Sequence, residues 1–203
     1  MNPPTIAERR DFWQHAYAHS SFLRARRSIE LLLREDPPLH SPLRSALTTS
    51  IVVMYCRPFK QKTEPPIRLS EDIVPAQYKD AHDEAIEIRD KIIADRDPGK
   101  PTTRWGFINQ LWVVVNGQDI RIETLSPSME NKPATKLMQL IDILVAKMQG
   151  RFEVFLQDFV RPGADGRYIV NLDENPEHWL EPWPHAYPIM PTQENPHPVG
   201  KWP

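Results

Sequence analysis

Apolar residues recur every three or four positions through most of the first half of the chain, and that period predicts helices. Thr5 is placed to cap a helix over 6–19, with Phe12, Trp13, Ala16 and Tyr17 on its apolar side. A second helix over 21–35 buries Phe22, Leu23, Ile29, Leu32 and Leu33. It ends at Asp36-Pro37-Pro38, because a residue before proline is pushed out of helical geometry. Ser41-Pro42 then opens a third helix that runs to about residue 57 and stops at Pro58. Residues 46–56 are small or apolar nearly all round, which predicts a central, buried helix.

A polar, proline-containing loop over 60–70 follows, and Ser70 caps what comes next. Pro75 separates a short turn from a long helix over 76–96. Ala81, Ala85, Ile88 and Ile92 form its buried stripe, and Pro98-Gly99 ends it.

The period then changes. Residues 107–115 are β-branched and aromatic, Asn116-Gly117 is a hairpin turn signal, and 118–125 alternate polar and apolar. A two-stranded ribbon is marginal alone, so Val114, Ile120 and Ile122 are expected to pack on the helices. Pro133 starts a last long helix over 134–160, with Leu137, Leu140, Ile141, Leu144 and Met148 inside and a kink point at Gly150. From Pro176 to Pro203 prolines crowd between Trp179, Trp183, Tyr187 and Trp202, and before them 168–172 read as a short strand.

The predicted fold class is therefore mainly α. A bundle of about five helices with one β-hairpin near 107–125 occupies residues 1–162, and an extended Pro/Trp-rich arm occupies 163–203. The tryptophans favour docking of that arm, on the body or on a partner, because free disordered tails are poor in them.

A net charge of −2 supplies no overall basic field toward nucleic acid or anionic lipid. Arg24, Arg26, Arg27 and Arg34 share one helix and read as a solvated face. The single cysteine, Cys56, excludes an intramolecular disulfide and reads as a small core residue. The start has no charged segment followed by an apolar one, and no apolar run approaches the ~20 residues of a membrane span, so a cytoplasmic setting is expected. His15 and His19 have metal-ligand spacing without a third ligand and read as surface or packing histidines. Glycine-rich phosphate loops, zinc-type cysteine pairs and Gly-x-Ser-x-Gly elbows are absent from the sequence. Asp80, His82, Asp83 and Glu84 have the residue types of a metal site but no standard spacing, and no cofactor is expected.

The chemistry concentrates at His82-Asp83-Glu84-Ala85-Ile86-Glu87-Ile88-Arg89-Asp90-Lys91-Ile92-Ile93-Ala94. Preceded by Tyr55-Cys56-Arg57-Pro58-Phe59 at the end of the third helix, this stretch resembles bacterial proteins of the HEPN superfamily over residues 41 to 97. These are small helical bundles, often homodimers, and many are metal-independent ribonucleases of toxin or defence systems. Their signature is an arginine, a polar residue, a short spacer and a histidine. Arg89 and Asp90 match its start, Lys91, Ala94 and Asp97 fit the surrounding pattern, and Asp95 stands where histidine is expected.

That replacement changes the chemistry. Histidine titrates near 6.5 and can carry a proton both ways, whereas an aspartate near 3.9 is ionised and repels a phosphate. Arg89 can still hold a phosphate, but alone it cannot serve as acid and base. His82, seven residues earlier and roughly 10 Å along the helix, is the candidate substitute, though it reads first as a helix-surface or packing histidine. The resemblance implies a catalytically degenerate protein acting through homodimerisation or through a protein partner held by the arm. The alternative it carries is a ribonuclease or nucleotide-binding protein using Arg89 with Asp90, Asp95 or His82.

Overall fold

Ala18, Phe22, Ala25, Ile29 and Leu32 are spaced four, three, four and three residues apart and are all fully buried. That unbroken stripe explains why one helix, α1 (Ile6–Glu35), replaces the two expected over 6–19 and 21–35. No proline or glycine stands at 19–21, and the capping tendency of Ser20 and Ser21 is overridden by burial on both sides of them. In the computed structural model the described residues are 3–39, 41–60, 68–90, 111–117, 119–124, 128–159, 168–172 and 179–182. Thr5 and Glu8 form the capping box that starts α1, and Asp36 ends it in a left-handed conformation at φ 39°.

The second helix, α2 (Pro42–Lys60), runs past Pro58 instead of stopping there. Proline in a last turn forfeits one hydrogen bond, and the Pro58 carbonyl is met from outside by the Leu69 N–H at 2.9 Å. Tight single turns at Glu71–Ile73 and Ala76–Tyr78 lead into α3 (Lys79–Ile88). Ala81, Ala85 and Ile88 are buried as expected, while Ile92 lies outside the described residues. After the antiparallel hairpin of β1 (Leu111–Asn116) and β2 (Asp119–Thr124), α4 (Asn131–Phe159) is one helix that includes Gly150.

The protein is mainly α, a bundle with one such hairpin, and the apolar core lies among α1, α2 and α4 with α3 closing one side. α1 packs along both α2 and α4, and α2 packs on α1 with a smaller contact to α3. The hairpin departs from expectation. Val113, Val115 and Ile120 are 60%, 61% and 69% exposed, so Ile120 does not pack on the helices. The strands pair Val113 with Ile122 and Val115 with Ile120, and the side chains of Val114 and Ile122 lie outside the described ones. Short strands β3 (Tyr168–Val170) and β4 (Leu180–Pro182) pair antiparallel. Beside them Arg9 Nη1 donates to the Asn171 carbonyl at 2.9 Å, and Trp179 meets Phe155 edge-on at 6.1 Å.

One buried cation ties the helix ends. Arg44, only 4% exposed, donates from Nε to the Met129 carbonyl at 3.0 Å, and its Nη atoms reach the Pro37 carbonyl, Asp36 and Asn131. The start of α2 is thereby joined to the end of α1 and the start of α4. Among the described residues, no helix is long and apolar enough to cross a membrane.

Candidate functional site

His82 follows Ala81 on the inner side of α3 and is completely buried. Tyr55 on α2 meets it there, with 2.8 Å between the phenol oxygen and Nδ1. Phe59, one turn further along α2, sets its ring edge-on to the imidazole at 4.8 Å. On the other side Nε2 stands 3.7 Å from a Glu71 carboxylate oxygen and makes no hydrogen bond to it. Burial, helped by the nearby Lys79 ammonium, holds the His82 pKa below its ordinary value, against the opposing pull of Glu71 and Asp83. Burial also pushes the Tyr55 phenol far above its usual range. The pair is thus a neutral, inward-facing polar contact inside an aromatic wall.

Outside it runs a chain of alternating charges. Lys79 bonds Glu71 and Asp83 at 3.2 Å each, and Lys60 lies 3.7 Å from Glu71 and 3.9 Å from Asp90. Arg89, capping α3, donates to Asp90 at 2.5 Å. Its side chain is 30% exposed. The hydrogen bond from Lys79, before any other influence, holds the Glu71 carboxyl below its usual range. Cys56 lies beneath, donating weakly from Sγ to the Ala85 carbonyl at 3.4 Å. Burial raises its thiol pKa, as suits a core residue and not a nucleophile.

The four predicted site residues therefore separate. Arg89 and Asp90 are brought together as an ion pair. His82 has no hydrogen bond or ion pair with Arg89 among the described residues and turns to Tyr55 instead. Asp95, with Lys91, Ala94 and Asp97, lies outside the described residues. The acids considered for a metal also diverge. Asp80 takes Lys136 at 2.6 and 2.8 Å, and Asp83 takes Lys79. Among the described residues no group of three or more histidine, cysteine and acidic side chains is disposed to hold a metal ion. His15 bonds back to the Asp11 carbonyl, and His19 packs edge-on against Phe152.

Tyr55, Lys60, Glu71 and Lys79 were not legible as parts of one constellation. The partners of Tyr55 and Lys60 sit 11 to 30 residues away on other elements, beyond the reach of helical spacing. A single tyrosine within the apolar stretch 51–56 was the available signal, because a buried phenol needs a partner. The chain matches no family model, no curated protein and no solved structure.

Proposed function

We propose that this protein acts by binding and not by catalysis. In this reading it is a HEPN-like bundle that has kept an arginine helix but has lost its proton carrier, and it works as a homodimer or with a protein partner. The observation that carries the reading is the fate of His82. It is the one histidine on the arginine helix, and it is fully buried against Tyr55 with its pKa lowered, where no substrate hydroxyl can reach it. Asp95 in the signature position and the pairing of Arg89 with Asp90 point the same way. The exposed apolar residues of the hairpin and the aromatic arm support a role in assembly.

The test is incubation of the purified chain with total RNA, beside an Arg89→Ala variant, together with light scattering on a sizing column. The expected result is no cleavage by either protein and a mass near twice 23.6 kDa or a defined complex. Cleavage that disappears in Arg89→Ala would overturn the binding reading in favour of a metal-independent ribonuclease using Arg89.

A further inference from the structure

Positions 10, 13, 17, 20, 24 and 27 of α1 recur at helical spacing on the side away from the core stripe. They carry Arg10, Trp13, Tyr17, Ser20, Arg24 and Arg27, of which Ser20, Arg24 and Arg27 are exposed and the rest half-buried. Trp13 and Tyr17 are stacked face to face, with centroids 4.9 Å apart and planes within 9°. Arg57, exposed in the last turn of α2, sets its guanidinium 5.3 Å from the Tyr17 ring centroid. Trp13 and Tyr17 thus form a short, half-buried stacked column with the exposed Arg57 set against it.

The charge around this column is one-sided. Arg26 is matched by Glu30 and Asp142, and Arg34 by Glu35. Arg24 and Arg27 have no ion pair among the described residues. Between residues 10 and 27 the only acid is Asp11, which faces His15, and α2 contains no acid at all. In a chain of net charge −2, this strip is locally cationic and aromatic.

We infer that the Trp13–Tyr17–Arg57 column with Arg24 and Arg27 is a binding face for single-stranded nucleic acid. Bases extend the stack, and phosphates meet the two arginines, which lie two to three turns, roughly 10–15 Å, along the helix from Tyr17. A duplex keeps its base faces occupied and offers this column only its backbone charge. The inference goes beyond the binding role above. It concerns a different face, and it needs neither Arg89 nor a dimer.

Fluorescence anisotropy of the full chain with short oligo(U), oligo(dT) and a duplex tests it. Single strands are expected to bind at least about tenfold more tightly than duplex, and Trp13→Ala to weaken them by about tenfold. Replacing both arginines (Arg24→Gln with Arg27→Gln) should flatten the log K against log salt slope by about 1.4, since each phosphate no longer neutralised by an arginine reduces it by ~0.7. Arg151→Gln, exposed on α4, should leave binding unchanged. A preference between oligo(U) and oligo(dT) assigns the site to RNA or to DNA. Circular dichroism checks each variant. Should Trp13→Ala lose the fold, the arginine pair decides, because both side chains are exposed. No binding of single strands at low salt, duplex binding as tight as single-strand binding, or a folded arginine pair that binds like the parent would overturn the inference.

Discussion

The Tyr55 hydroxyl and the His82 imidazole share a 2.8 Å hydrogen bond in an interior lined by Phe22 and Phe59. A polar pair in such a place stabilises only while both members remain, since each would otherwise be a buried group without its partner. Tyr55→Phe keeps the ring and removes the oxygen, leaving His82 Nδ1 unmatched. The expected loss is roughly 1–3 kcal/mol in urea unfolding with an unchanged m-value. Pairing Tyr55→Phe with His82→Leu should cost less than the sum of the two single changes, and strict additivity would argue against the bond.

The same histidine sets a pH dependence. Its folded pKa is lowered by burial and by Lys79, against Glu71 and Asp83, with Lys60 beyond Glu71. The unfolded chain therefore takes up a proton near 6.5 while the folded chain does not. Stability should fall as pH drops from about 6.5 toward the lower folded value, and level off below it. His19, lowered by its own burial, adds to the same slope. Glu71 acts in a separate window. Its carboxyl is lowered from 4.5, so its contribution is present above that value and is lost only in stronger acid. Thermal unfolding across pH 5 to 7 should show His82→Gln flattening part of the slope and His19→Gln the remainder. A slope unchanged in both variants would show that the acid sensitivity has another source.

How much of this was written in the sequence differs from element to element. The stripes that bury Ala81, Ala85 and Ile88, or Leu137, Ile141 and Leu144, follow from spacing alone, because a helix fixes which side faces inward. The continuity of α1 through Ser20 and Ser21 did not, since the sequence reads as two helices meeting near residue 20 and packing on two neighbouring helices makes them one. Arg89 and Asp90 were legible as adjacent charges. The burial of His82 depended on Tyr55, 27 residues away, and no local pattern encodes such a meeting. Arg44 is the sharpest case. A basic residue in the first turn of α2 reads as a solvated charge, yet it is enclosed by the ends of two other helices.

Arg44 makes its own prediction. Its guanidinium serves the carbonyls of Pro37 and Met129 and the side chains of Asp36 and Asn131, and the Asn131 amide returns a 2.8 Å bond to Asp36. Arg44→Met removes the donor and leaves buried acceptors unmet, at a cost of about 3 kcal/mol. Arg44→Lys should recover less than half of that, because a single ammonium cannot reach in three directions as a planar fork does. The shift of the urea midpoint measures both, and equal stability of the lysine variant and the parent would show that charge alone suffices.

The hairpin supplies the prediction closest to function. Val115 and Ile120 are cross-strand partners at 61% and 69% exposure, and Val113 beside them is 60% exposed. Apolar pairs of this kind cover little of each other and gain most when a second surface closes over them. If that surface is a second copy of the chain, charge on the ribbon should disperse the assembly. Two lysines would repel one another across the strands, so the better variant combines Val115→Lys with Ile120→Glu, an opposite pair that preserves the hairpin. These residues contribute nothing to the bundle core, so circular dichroism and unfolding should be unchanged. Light scattering should show the mass fall from twice 23.6 kDa to once. A dimer that survives the substitution would place its contact elsewhere on the molecule, and a parent chain that is already monomeric would leave the ribbon to a different protein.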